Sequence, residues 1–219
     1  MITAYDKEYK ATKRIKQGKT SLESPFDELA EWISATWDVV VLNVVYDHAD
    51  GLLRAPRIQV ILEYQDHAQK FSKGFNFDKK KQKAIAKKFI EIIKKQPEHG
   101  YDITGLFVVF SAFDQIAKEE ADEQISDLEI EALKAQIANA DLWEISRCFG
   151  GVTFMFYTDK QVAKYEQNGK KELYARKYFS ILKRYDEFSY CSFADFDIQF
   201  DSKENFDKNY ESNWYYYYK

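Results

Sequence analysis

The chain has 219 residues, of which 45% are apolar, 31% are charged and 17% are aromatic, and its formal net charge is -4. With only 8 Gly and 3 Pro, this composition excludes collagen-like, low-complexity and disordered classes and predicts a well-filled core. We expect no secretory signal, and no stretch approaches the roughly 18 apolar residues that a membrane span requires. The sequence therefore predicts a cytoplasmic protein with no membrane partner.

The two cysteines, Cys148 and Cys191, form no C-x-x-C pair and have no histidine nearby in the sequence. This spacing argues against a zinc site and a disulfide framework, and it predicts thiols packed as small apolar groups. The chain also lacks the glycine-rich motifs that cradle phosphates. We therefore expect no metal and no cofactor, and the mildly acidic charge argues against nucleic acid as a partner.

The predicted elements of the first half alternate between helices and strands. Residues 1–20 are basic and are expected to form an amino-terminal helix or arm. Ser24-Pro25, followed by acidic residues, predicts a helix start. Residues 37–46 and 57–64 are rich in β-branched and aromatic residues and predict an antiparallel strand pair. The apolar spacing over 79–96 predicts an amphipathic helix whose other faces carry lysines.

The second half contains stronger local signals. Ser126 and Thr158, each followed three residues later by Glu or Gln, predict capping boxes at helix starts. Gly150-Gly151 between two apolar runs predicts a hairpin turn. The remaining predictions are strands over 102–113, 143–148, 152–157 and 193–200, and helices over 171–185 and from Ser202 onward.

These elements predict an α+β fold with a mostly antiparallel sheet covered by helices. The loops within the strand pairs are too short for the helical crossovers of a doubly wound parallel sheet. We find no internal repeat and no Gly/Ser/Pro-rich linker. The sequence therefore predicts a single compact domain over residues 1–219.

Two groups of acidic residues are the candidate catalytic sites. Asp47, His48 and Asp50 lie in the loop of the first strand pair, and Asp195 and Asp197 fall on one face of the strand expected over 193–200. Such carboxylates can act as acid and base, which would make the protein an enzyme with a carboxylate and tyrosine site for a small polar or sugar-like substrate. Solvent-exposed acids are the commoner interpretation of both patterns, and the loop alone offers too few ligands for a metal.

The charged residues are distributed unevenly along the chain. Lysines concentrate between residues 73 and 95, where they form either a solvated helix face or a site for phosphate or an acidic partner. Acids concentrate between residues 114 and 131. We interpret Glu119, Glu120 and Glu123 as a surface for a basic protein partner, since charge complementarity speeds association. Neutralisation of these acids by the lysine-rich helix is the open alternative.

The carboxyl terminus, Trp214-Tyr215-Tyr216-Tyr217-Tyr218, is the least ordinary feature of the sequence. In a strand, Trp214, Tyr216 and Tyr218 would share one face. Tyrosine and tryptophan supply large amphipathic contact area at interfaces. We expect this run to tether the chain end, to bind a protein partner or to stack on a ligand.

Together these features favour a non-enzymatic interaction protein that binds a protein partner through acidic and aromatic surface. In general character, with no catalytic motif, mild acidity and mixed helices and strands, the chain is similar to small bacterial immunity proteins, which neutralise a cognate toxin. This similarity involves no residue pattern. The sequence leaves the oligomeric state open.

Overall fold

The computed structural model describes residues 2–49, 54–95, 100–148 and 150–219. It confirms the α+β class, with three small sheets and helices packed on them. The chain divides into two compact units, residues 1–116 and 117–219. Each unit has its own hydrophobic core, so each is described by itself.

The first unit packs two helices, α2 and α4, against one face of the sheet β1-β2-β5. Strand β1 is antiparallel to β2, and β5 lies parallel to β2 on its other side. Helix α1 lies over the opposite face, where the Asn43 amide donates to the Thr12 hydroxyl at 2.9 Å. The elements are α1 (Lys7–Lys16), α2 (Phe26–Trp37), β1 (Val41–His48), β2 (Pro56–Leu62), α3 (Gln65–Gln69), β3 (Ser72–Lys73), β4 (Asn76–Phe77), α4 (Lys79–Ile93), β5 (Phe107–Ala112) and α5 (Phe113–Glu123).

The second unit begins within α5. Its core lies between the sheet β6-β7-β8 and helices α6, α7 and α8. Strands β6 and β7 form an antiparallel hairpin, and β8 lies parallel to β7. The elements are α6 (Asp127–Ile137), β6 (Leu142–Cys148), β7 (Gly151–Phe156), α7 (Asp159–Gln167), α8 (Lys170–Tyr185), β8 (Gln199–Ser202), α9 (Lys203–Tyr210) and α10 (Trp214–Tyr217).

The two units repeat one another, although the sequence shows no repeat. Apart from α1 and the β3-β4 hairpin in the first unit and α10 in the second, each runs helix, antiparallel strand pair, two helices, parallel third strand and helix, with the second strand central in its sheet. The first strand of each is irregular at its start, between Val41 and Asn43 and between Leu142 and Glu144. The shared register shows that the similarity extends beyond element order.

The backbone hydrogen bonds at the ends of the strands match as well. In the first unit the Asp114 amide donates to the Glu63 carbonyl at 3.0 Å, and in the second the Glu204 amide donates to the Tyr157 carbonyl at 3.2 Å. Both bonds join the first turn of the final helix to the residue after the central strand. The units are therefore two versions of one αββααβα module.

Most predicted elements are confirmed. Both hairpins and both capping boxes are present, with Ser126 accepting from the Glu129 amide and Thr158 from the Gln161 amide. The basic residues near the amino terminus form helix α1. Antiparallel pairs outnumber parallel ones among the described strand pairs, as expected. The prediction of a single domain stays a prediction.

Four predictions of element bounds or type are wrong. The strand expected over 102–113 begins only at Phe107, and Phe113 already belongs to helix α5. Trp37 ends helix α2 rather than opening β1, because its ring packs on Trp32 and the next residue, Asp38, takes a left-handed conformation that terminates the helix. The strand expected over 193–200 begins only at Gln199. The chain end forms the short helix α10, not a strand.

Candidate functional site

The first candidate catalytic group is tied into the sheet of the first unit. Arg57 donates to the two Asp47 carboxylate oxygens at 2.8 and 2.7 Å, and the Gln59 amide donates to Asp47 Oδ2 at 2.7 Å. Burial raises the pKa of Asp47, but the hydrogen bonds and charge of Arg57 and the Gln59 bond outweigh it, so the pKa is lowered. Asp47 is therefore a structural carboxylate that stays ionised near neutral pH and is unsuited to exchanging protons there.

His48 and His67 do not lie in the hydrogen-bonded cluster of Asp47, Arg57 and Gln59. His48 is the exposed last residue of β1, where its ring contacts Tyr46 edge-on. At the other end of the strand, His67 Nδ1 accepts a hydrogen bond from the Val40 amide at 3.0 Å. Asp50 lies outside the described residues. Within the described ranges, no three His, Cys, Asp or Glu side chains gather as a metal site.

The second candidate pair, Asp195 and Asp197, does not lie on one strand face. Residues Phe193–Asp195 form a 3-10 turn, in which the Ser192 hydroxyl accepts from the Ala194 amide. Phe193 and Phe196 pack on rings of α8, and this packing fixes the turn. Asp195 is exposed, and Asp197 forms an ion pair with Lys171 at 3.0 Å. The structure thus gives these two carboxylates no shared geometry for catalysis.

The predicted acidic surface lies on the carboxyl-terminal part of α5, which belongs to the second unit. Glu119 and Glu123 are exposed on α5, whereas Glu120 is half-buried. Exposed acids continue onto α6 with Asp127, whose carboxylate forms an ion pair with Arg147 at 3.1 Å. The acidic residues therefore form a solvent-accessible face rather than an enclosed cluster.

Side chains that the sequence analysis did not single out hold the acidic helix in place. The buried Tyr178 hydroxyl donates to Asp122 at 2.5 Å, and the Arg147 guanidinium donates to the carbonyl oxygens of Asp122 and Ile125. Burial first, and the Asp122 charge second, raise the pKa of Tyr178. Tyr178 therefore keeps its proton and pins the acidic helix to α8.

A second anchor holds the start of α6. Glu129 closes the Ser126 capping box and also accepts hydrogen bonds from Tyr185 and Arg184. The Ser126 backbone bond, the Tyr185 hydroxyl and the Ser126 hydroxyl lower the pKa of Glu129 to about 2. Glu129 therefore has a structural role. Of the three acids of the predicted surface, Glu119 and Glu123 are exposed.

The aromatic carboxyl terminus is anchored on one side of α10. Trp214 stacks on Trp143 and packs on Phe206, with ring centroids 6.1 and 4.3 Å apart. The Tyr217 hydroxyl donates to Asp201 at 2.6 Å, and the Tyr218 hydroxyl donates to Ser146 at 2.7 Å. These contacts confirm the predicted tether. They also show that Tyr218 is half-buried against the sheet, whereas Trp214 remains 36% exposed.

The other side of α10 exposes two tyrosines. Tyr215 is 68% exposed and Tyr216 is 47% exposed. Their ring centroids lie 5.8 Å apart, and the Lys219 ammonium lies over the Tyr215 ring at 5.7 Å. The strand interpretation selected Tyr216 but missed Tyr215. The Asn213 side chain caps α10 by accepting a hydrogen bond from the Tyr215 amide. An Asn directly before the aromatic run is therefore the signal in the sequence that indicates a helix here.

No family model, curated protein or solved structure matches this chain. No helix in the described part of the chain is long and apolar enough to cross a membrane. The fold places the chain in the α+β class. The function proposed below is therefore argued from the surfaces of this chain alone.

Proposed function

We propose that this chain is a non-enzymatic, cytoplasmic protein that binds a protein partner through its second unit, in the manner of a bacterial immunity protein. The observation that carries the proposal is the pair of exposed tyrosines, Tyr215 and Tyr216, on a helix whose other side is locked to the sheet. Rigid aromatic side chains lose little conformational entropy on binding, and they dominate many interfaces.

The acidic face on α5 and α6 supports a basic partner. Exposed acids such as Glu119 and Glu123 attract a positively charged surface over distances of about 8–10 Å at physiological salt and so raise the association rate. The two cysteines support the cytoplasmic location, because both are free thiols. Burial, and then the charge of Asp186, raise the pKa of Cys191 to about 11, which suits a packed rather than a reactive thiol.

The test begins with the genes next to this one: a neighbour that encodes a toxin domain supplies the purified partner, with binding followed by biolayer interferometry, and a neighbourhood without such a gene counts against the immunity role. We expect Tyr215→Ala with Tyr216→Ala to raise the dissociation rate at least tenfold, since aromatic anchors act mainly on dissociation. Tyr157→Ala, which removes another exposed tyrosine of the second unit, is the matched control. Equal affinity of the double variant and the control would reject the aromatic interface.

The electrostatic part is tested separately. Glu119→Lys with Glu123→Lys is expected to slow association about tenfold and to flatten its dependence on NaCl. Glu31→Lys with Glu166→Lys reverses two other exposed helical glutamates and is expected to preserve that dependence. If both pairs respond alike, only net charge matters and the acidic face is not a docking surface.

A further inference from the structure

A small hairpin of the first unit presents an aromatic ring to solvent. Strands β3 and β4 pair through Ser72–Phe77 and Lys73–Asn76, and Gly74 turns the chain with a φ of 62°. Phe75, next to that turn, is fully exposed. The hairpin that carries Phe75 is firmly held, because Phe77 packs on a ring of β5.

Exposed lysines lie on the same hairpin and at the start of α4, which follows it directly in the chain. A groove of about 440 Å³ is lined by Lys73, Asn76, Phe77, Asp78, Lys79 and Lys80. Lys73, Lys79 and Lys80 are exposed and take part in none of the ion pairs formed by the described residues. We refer to Phe75, Lys73, Lys79 and Lys80 as the basic edge.

The basic edge carries a net positive charge beside the start of α4. Positive side chains in the first turn of a helix oppose the macrodipole. The first turn of α4 carries lysines and no acid, and the acidic group beside them is Asp78 at the N-cap position. The Asp78 carboxylate caps the helix by accepting from the Lys80 amide at 2.8 Å, which leaves the lysine ammonium groups to solvent. Three exposed lysines beside one carboxylate leave this surface with a net positive charge, and a charged surface next to an exposed aromatic ring is typical of a binding site.

We propose that the basic edge binds an acidic segment of a partner protein, whose carboxylates meet the three lysines while Phe75 enters an apolar pocket beside that segment. An extended nucleic acid is disfavoured, because one ring and a compact lysine cluster provide no track for successive bases and phosphates. This surface belongs to the first unit and does not depend on the function proposed for the second.

The experiment selects a phage-displayed library of 12-residue peptides on the wild-type chain, after depletion on the Lys79→Glu, Lys80→Glu variant. We expect the retained peptides to be enriched in Asp and Glu together with an aromatic or large aliphatic residue. Retained peptides without acidic enrichment over the input library would overturn the proposal.

The most enriched peptide is then labelled and titrated by fluorescence anisotropy. We expect its Kd to rise at least tenfold in Lys79→Glu, Lys80→Glu and in Phe75→Ser, and to rise with NaCl. Lys160→Glu with Lys208→Glu, the same charge change on exposed lysines of the second unit, keeps Kd within twofold. Equal weakening by both charge pairs, or tighter binding of a (dT)15 strand that displaces the peptide, would overturn the proposal.

A stability measurement separates binding from folding. Because glutamate favours the amino-terminal turn of a helix where lysine opposes it, we expect Lys79→Glu, Lys80→Glu to raise Tm while it weakens peptide binding. A lysine cluster with a merely structural role would give the reverse, a lowered Tm.

Discussion

The Asp47 carboxylate accepts three hydrogen bonds from Arg57 and Gln59 on the adjacent strand β2. Bidentate hydrogen bonds between charged groups are stronger than hydrogen bonds between neutral groups. Solvent screens this ion pair less than it would screen one on the surface, because both side chains are partly buried. The side chains of Asp47 and Arg57 are 20% and 26% exposed. The cluster therefore acts at the residue scale as a stabilising cross-strand clamp.

We predict that Asp47→Asn lowers the free energy of unfolding by about 1–3 kcal/mol at pH 7, because it removes the charge that faces Arg57. The folded-state pKa of Asp47 lies below its unfolded value of about 3.9. Its contribution is therefore present above pH 4 and is lost as the pH falls through the folded pKa. Urea unfolding of wild type and variant from pH 7 down to pH 2.5 measures this difference.

Asp195→Asn is the control, because Asp195 is exposed on a turn. Its expected effect is within about 0.5 kcal/mol at either pH. If Asp47→Asn is equally mild at pH 7, or if its effect persists undiminished at the lowest pH, the clamp does not stabilise the fold as an ion pair.

At the scale of elements, the successful predictions rest on signals contained within a few residues. The capping boxes at Ser126 and Thr158 satisfy backbone amides locally, and Gly150 supplies the positive φ that the hairpin turn needs. These interactions form wherever the sequence allows them. They could be predicted without knowing what packs on either side.

The failed predictions depend on distant contacts. Aromatic residues have high strand propensity, so residues 193–200 and the chain end both favoured strands. In the structure Phe193 packs on Phe179 of α8 and Trp214 on Trp143 of β6. Tertiary packing thus overrides strand propensity. It keeps Asp195 and Asp197 from sharing a strand face, and it determines which of the terminal tyrosines are exposed.

The anchored side of α10 gives a prediction for that element. Trp214→Ala removes the ring that stacks on Trp143 and Phe206, and we expect a loss of about 1–3 kcal/mol of unfolding free energy. The variant also exposes Trp143, so its tryptophan emission should shift to longer wavelength. Chemical unfolding followed by fluorescence measures both effects in one experiment.

Tyr215→Ala provides the comparison on the exposed side of the same helix. We expect it to leave both emission and unfolding midpoint close to wild type, while it weakens partner binding. A stability loss equal to that of Trp214→Ala would mean that Tyr215 belongs to the anchor and not to a binding surface.

At the scale of the whole molecule, the repeated module could not be found from the sequence. Matching positions of the two units hold chemically different side chains. In the central strands Gln59 of β2 matches Thr153 of β7, and in the first strands Asn43 of β1 matches Glu144 of β6. What the units share is backbone register and the burial of their central strands, β2 and β7. Two modules with separate cores suggest that stability, too, is divided between them.

Tryptophan positions make this division measurable. Trp32 and Trp37 lie in the first unit and Trp143 and Trp214 in the second, so replacing one pair by Phe leaves reporters for the other unit. Ile58→Ala truncates a buried core residue of the first unit and Phe154→Ala one of the second, each costing about 2–5 kcal/mol. We expect each truncation to lower mainly the urea midpoint reported within its own unit. Equal shifts in both reporters would show that the chain unfolds as the single domain that its composition predicts.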